Sequence, residues 1–195
     1  MKIGVLGSGG VGQTIAGTLR ELGHEVEVGT RSEDSYGTAA AHGEVIFNCT
    51  AGTGSLEALR AAGEEELRGK VLVDVANPLD FSKGMPPTLS VCNDDSLGEQ
   101  IQREFPEARV VKALNTMSSA VMVAPVEGTN LFICGNDSAA KEQVTTLLGE
   151  FGWPADSVVD LGGIGAARGM EMYLPLWLAL MGALGTPQFN IAVVR

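Results

Sequence analysis

The chain has 195 residues, of which 45% are hydrophobic and 19% charged, with a formal net charge of −11. That length suits one α/β domain with a substantial core, read here as a single domain over residues 1–195. The acidic balance argues against a general nucleic-acid surface and against a polybasic membrane patch. Cys49, Cys92 and Cys134 are widely spaced and carry no metal-ligand pattern, so no metal site is expected and a reducing cytoplasm fits. Met1-Lys2 runs straight into the first apolar segment, which again reads as cytoplasmic.

The first element is a strand, Lys2–Leu6, and a helix-patterned run, Val11–Leu22, follows it at once. Between them lies Gly7-Ser8-Gly9-Gly10-Val11-Gly12. Strand, glycine turn and helix is the context in which a Gly-x-Gly-x-x-Gly match indicates a dinucleotide site. Gly7 would make the tight turn, Gly9 would let a pyrophosphate approach the backbone, and Gly12 would let helix pack on strand. Phosphates would then meet free N–H groups at a helix N-terminus, where the dipole favours negative charge.

The second strand, Glu25–Val28, runs into Gly29-Thr30-Arg31-Ser32. An NAD-preferring site usually carries an acid here, roughly 20 residues past the glycines, to hold the ribose hydroxyls. No Asp or Glu falls between Val28 and Ser32. Arg31 can stack on adenine and pair with a 2′-phosphate, and Thr30 and Ser32 add hydroxyl donors. The coenzyme expected is therefore NADP, the bland alternative being a solvated arginine in a turn.

A short helical piece near Ser35–Ala41, a strand at Val45–Cys49, a helix around Ser55–Ala62 and a strand at Lys70–Val75 complete the first half. The alternation of near-continuous apolar strands with helices predicts a Rossmann-like, doubly wound, mainly parallel sheet covered on both faces. Ligands bind such sheets at the C-terminal ends of the strands. Thr50, Ala51 and Gly52 leave one such end, and the small Ala51 and Gly52 would let backbone approach the coenzyme. Ala76, Asn77 and Pro78 open a Pro-, Gly- and Asp-rich loop at the next. Asn77 offers donor and acceptor to a carboxamide or the nearby ribose; an Asx turn before Pro78 is the competing role.

A helix at Leu97–Phe105, a strand at Arg109–Leu114, a polar turn at Asn115–Ser119 and a short helix come next. Asn115 and Thr116 are candidate contacts to the nicotinamide or the substrate, or alternatively caps of that helix. A strand at Asn130–Cys134, a helix at Ser138–Phe151, a strand at Val158–Leu161, a long apolar helix at Ala167–Leu184 and a final extended segment at Phe189–Val194 end the chain. The helix contains Pro175, and its apolar stretch is shorter than the roughly 20 residues a bilayer span needs. It reads as a core or interface helix and admits a homodimer.

Carbonyl or imine reduction usually wants a positioned acid. His24 and His42 fall at the wrong end of the sheet, Tyr36 sits in a helix and Lys112 is mid-strand, which leaves Tyr173 alone near a substrate wall. An acceptor needing no strong acid from the protein fits better. Met117, Met122, Met172 and Tyr173, with Met170, could form a flat apolar wall for a ring, or simply pack in the core.

Four segments together carry a resemblance: MKIGVLGSGGVGQTIAGTLRELGHEVEVGTR, VLVDVANPLD, VVKALNTMSSAVM and LGTPQFNIAVVR. The chain resembles the coenzyme F-420-dependent NADP reductase family, and it shares the pattern of the cytosolic domains of STEAP-type metalloreductases. The resemblance implies hydride exchange between NADP(H) and a deazaflavin or flavin stacked on the nicotinamide. It implies Ser8, Gly9, Val11 and Gly12 at the phosphates and Thr30, Arg31 and Ser32 at the 2′-phosphate. Asn77, Asn115, Thr116 and Met117 fall to the reacting end. Archaeal members typically carry His where this chain has Asn115, whereas STEAP-type domains also have Asn, which keeps the acceptor open to coenzyme F-420, another flavin or a different small molecule. An NADP sensor without turnover and a reductase of small imines or carbonyls remain the other readings.

Overall fold

A computed structural model describes residues 1–194. The first half runs β1 (Lys2–Leu6), α1 (Gly10–Glu21), β2 (Glu25–Gly29), α2 (Tyr36–His42), β3 (Val45–Asn48), α3 (Ser55–Ala62), α4 (Glu64–Leu67) and β4 (Val71–Asp74). A small ribbon, β5 (Leu79–Asp80) and β6 (Thr88–Leu89), precedes α5 (Leu97–Glu104) and β7 (Arg109–Ala113). Then come α6 (Ser119–Val123), β8 (Leu131–Gly135), α7 (Ser138–Glu150), β9 (Val158–Asp160), α8 (Ala167–Met172) and α9 (Leu174–Leu184).

Seven strands make one sheet in the order β2-β1-β3-β4-β7-β8-β9. Every neighbouring pair is parallel except β7 and β8, so this is the mainly parallel, doubly wound α/β fold that the alternation implies. β3 and β4 are buried at every residue, as a strand covered by helices on both sides must be. One core lies against α1, α6 and α7 and holds Ile3, Ile15, Phe47, Val111 and Leu147. The other lies against α2, α3, α5 and α8 and holds Leu6, Leu59, Leu72, Ile101 and Met170. In α1 the residues Gly12, Ile15, Ala16 and Leu19 recur on one helical face and are the ones it buries.

The structure differs from the sequence expectations in two places. The long terminal helix is broken at Tyr173 into α8 and α9. Pro175 explains the break: it has no N–H to give to the carbonyl one turn back, and its ring crowds that carbonyl. The loop after β4 contains the antiparallel β5–β6 ribbon, whose two-residue strands are too short to leave an alternation in sequence. Gly185, in the left-handed conformation, terminates α9, and the chain continues past Pro187 alongside Asn130. Among the described residues no helix is long and apolar enough to cross a membrane.

Candidate functional site

The turn from β1 to α1 depends on two glycines for different reasons. Gly7 has φ of +109°, and a Cβ there would lie 2.7 Å from the Cys49 carbonyl oxygen. At Gly12 a Cβ would lie 2.0 Å from the Gly7 carbonyl oxygen, so only glycine lets α1 sit this close to the turn. Gly9 and Gly10 have open space where side chains would be. No side chain caps α1 and no acid stands in its first turn, which comprises Gly10, Val11 and Gly12. That leaves the positive end of the helix facing the open side of the turn.

A cleft of about 530 Å³ opens there, lined by Gly7, Ser8 and Gly9 from the turn, Thr30, Arg31 and Ser32 from the end of β2, and Thr50 and Ala51 from the end of β3. Among the further lining residues that sequence reasoning missed are Asp34, Tyr36 and Glu57. Asp34, with φ of 48°, falls just past Val28–Ser32 and is brought back to the wall by the turn after β2. Thr30 Oγ1 lies 3.3 Å from Ser32 Oγ and accepts from the Glu33 amide, which fixes this loop. Arg31 is exposed and, among the described residues, forms no ion pair.

Asn77 and Asn115 face each other across the ends of β4 and β7. Asn77 Nδ2 donates to the Asn115 carbonyl at 2.8 Å, and Asn115 Nδ2 donates to Asn77 Oδ1 at 2.9 Å. Asn115 Oδ1 is buried and has no partner among the described residues. An unpaired buried acceptor costs about 1–3 kcal/mol, so this oxygen is open to a donor from outside the protein. Leu114 immediately before it has φ of 65°, a strained conformation for a bulky residue and one that concentrates at functional sites. Ala76 and Thr116 flank the pair and are buried, while Pro78 lines a separate hollow of about 220 Å³. Gly52 lines that hollow too; its missing side chain makes room for the Asn77 carbonyl, 2.0 Å from where a Cβ would stand, and not for the cleft.

The expected acceptor wall is not brought together. Met117 and Met122 are buried in the core on the α1 and α7 side, where the Trp153 indole donates to the Met122 carbonyl. Met170 belongs to the core on the opposite face of the sheet. Met172 is partly exposed there, its Sδ accepting from the Asn93 amide at 3.4 Å. Tyr173 is half-buried with an unpaired hydroxyl, and burial pushes its phenol above the ordinary tyrosine range. The spacing that puts methionines on a stripe in sequence therefore divides them between two core layers.

What sequence reasoning passed over is a buried charge. Register aligns Asn48, Asp74 and Lys112 in one row across β3, β4 and β7, so the three side chains leave the sheet on the same face. Lys112 Nζ donates to Asp74 Oδ2 at 2.7 Å, to Glu171 Oε1 of α8 at 2.8 Å and to the Ala76 carbonyl. Burial alone would lower the Lys112 pKa, but Asp74 and Glu171 outweigh it and hold the ammonium above the ordinary lysine range. Glu171 also accepts from the Leu97 and Gly98 amides at the start of α5, and Asp74 Oδ1 accepts from Asn48. The signal was present in the sequence: Asn48 and Asp74 each end an otherwise apolar strand, and Lys112 interrupts the apolar run of β7.

No family model matches the chain. It is similar, at 30% identity over 169 residues, to the F420-dependent NADP reductase of Methanocaldococcus jannaschii, covering 83% of this chain and 71% of that protein. It is 29% identical over 194 residues to the metalloreductase STEAP3 of Rattus norvegicus, which covers 90% of this chain; the chain spans 38% of that protein's length. A crystal structure from Arthrobacter sp. FB24, provisionally named an F420-dependent NADP reductase, superposes with a TM-score of 0.95 at 50% identity over the full length of both chains.

Proposed function

The chain belongs to the F420-dependent NADP reductase family and is an NADP-dependent oxidoreductase, and from that premise we propose that it exchanges a hydride between NADP(H) and a deazaflavin or flavin-type ring. The unpaired Oδ1 of Asn115 is the observation that carries this reading. It is a buried acceptor at the strand ends where an α/β sheet binds ligands, and a nicotinamide carboxamide N–H would satisfy it. In this reading Gly9, Gly10 and the first turn of α1 receive the phosphates, and Thr30, Arg31 and Ser32 take the 2′-phosphate. Asn77 locks Asn115 in orientation through their paired amides. Bound NADPH would supply the hydride from its nicotinamide.

Of the candidate acids, both histidines and Lys112 are engaged elsewhere, and burial makes the Tyr173 phenol a weaker acid. His24 bonds Glu150, His42 bonds the Glu25 carbonyl, and Lys112 is enclosed by its two carboxylates. This favours an acceptor whose ring takes the hydride without a proton from a neighbouring side chain. Stopped-flow mixing of the NADPH complex with coenzyme F420, FMN, FAD and a set of simple imines and carbonyls tests it. Oxidation of bound NADPH by the deazaflavin or a flavin is expected. Turnover with imines or carbonyls alone would replace this reading, and binding without oxidation by any acceptor would make the protein a sensor of NADP.

We further propose a homodimer built on α9. All 11 residues of α9 are apolar, Pro or Gly, yet only Leu174 is buried. Leu176, Leu180 and Leu184 share one helical face, and Leu176 and Leu184 are each 56% exposed. A helix that is apolar all round is ordinarily buried, and a two-fold pairing with a second copy would bury this one. Light scattering should give twice the monomer mass for the natural protein and the monomer mass for Leu176→Glu with Leu184→Glu. A natural protein that is monomeric at micromolar concentration would overturn the dimer.

A further inference from the structure

The Asp74–Lys112–Glu171 cluster is fully buried, and its lysine has three donors matched to three acceptors. Such clusters are poor stabilisers, because well-packed apolar residues of the same volume often serve as well or better. What charge provides, and apolar packing does not, is a fixed direction for each group it touches. Lys112 touches the carbonyl of Ala76, the residue immediately before Asn77, and stands on β7 just before Leu114 and Asn115. Both strand ends that carry the asparagine pair are thus tied to one ammonium. The row continues through Asn48, whose Oδ1 accepts from the Thr50 hydroxyl at 2.7 Å on the cleft wall.

We propose that Lys112, held by Asp74 and Glu171, is a positioning residue that sets the spacing and orientation of Asn77 and Asn115 for the nicotinamide. The inference rests on the reading that this pair meets the nicotinamide. The cluster acts from below the site through backbone and touches neither coenzyme nor acceptor. Glu171 extends the same tie to α5 and α8.

The test replaces the cluster with neutral groups of similar volume: Lys112→Met, Asp74→Asn and Glu171→Gln together. Single-turnover oxidation of bound NADPH should fall about 100-fold, the effect of roughly 1 Å of misplacement, while the NADPH dissociation constant stays within about threefold. Arg168→Ala is the structural control. It breaks the paired Glu99 contact between α5 and α8, away from Lys112, and should lower the melting temperature with the transfer rate within about twofold. In the coenzyme-free protein, ¹⁵N spectra should show the side-chain amides of Asn77 and Asn115 shifted toward free-amide positions in the triple variant. If that variant does not fold, Glu171→Gln alone should slow transfer about tenfold and move the same two amide signals.

A folded variant with natural amide signals and natural transfer rate overturns the proposal. So does an equal loss of rate in Arg168→Ala, which would mark a general loosening. Should the natural protein pass hydride to no acceptor, the functional reading fails, and the amide spectra alone then decide whether Lys112 positions the pair.

Discussion

Lys112→Met, made alone, is expected to cost about 3–5 kcal/mol of folding stability, the usual loss when one partner of a buried charge cluster is removed. The substitution keeps the volume of the side chain and deletes its charge. Asp74 and Glu171 then lie close together, buried from solvent and without their cation. The deficit should shrink in acid, because a buried carboxylate that takes a proton no longer carries an unpaired charge. In the natural protein the linkage runs the other way. The folded-state Lys112 pKa is raised above its unfolded value, so its stabilisation is complete below about pH 10.4 and is lost as pH rises through the folded value. Urea denaturation of both proteins between about pH 5 and pH 8, and of the natural protein above about pH 10.4, checks this. A single variant within about 1 kcal/mol of the natural protein, or one with a pH-independent deficit, would show that the triad is not a coupled buried cluster.

The same row of residues shows where the sequence is legible and where it stops being so. Local signals placed β1, the glycine turn and α1, because each is specified by neighbours: an apolar run, a required positive φ at Gly7, and a buried stripe at helical spacing. The Thr30-Arg31-Ser32 wall was legible for the same reason, since one turn carries all three. Asp34 was not, because the turn after β2 folds it back into the cleft from outside a purely sequential window. Lys112 is the sharper case. Alone in β7 it is an anomaly, and it becomes interpretable only when parallel register sets it beside Asp74 and Asn48, from strands roughly 40 and 60 residues earlier. Its third partner, Glu171, comes from a helix with no register to the sheet at all.

The methionine wall failed through the opposite error, periodicity without layers. Met117 and Met170 lie at suitable ends of their elements, yet the sheet stands between the two cores they enter. Helical spacing reports which face of an element is apolar, and it does not report which side of the sheet that element covers. Pro175 was visible throughout, but only the structure shows that it divides α8 from α9 and leaves α9 uncovered. A surface acceptor slot thus gains no support from Met117 or Met122, and the paired asparagines are the better guide to the reacting end.

Arg31→Ala should erase most of the preference for NADPH over NADH, which in the natural protein is expected to be at least tenfold. A charge-assisted contact to a phosphate contributes roughly 1.5–3 kcal/mol, which is about ten- to more than 100-fold in affinity. Arg31 is exposed at the cleft wall and engaged by no carboxylate among the described residues, so its guanidinium is free to pair with a phosphate. Asp34 on the same wall acts against it, since a carboxylate beside a phosphate repels it and can instead hold ribose hydroxyls. The two residues therefore make opposite predictions for one measurement. If Arg31 dominates, fluorescence titration gives tighter NADPH, and that advantage weakens as salt screens the pair. Asp34→Asn should then tighten NADPH further and weaken NADH, which loses the acceptor for its ribose hydroxyls. Equal affinities for the two coenzymes in the natural protein would mean that the acid cancels the arginine, and the 2′-phosphate would no longer be the group this turn selects.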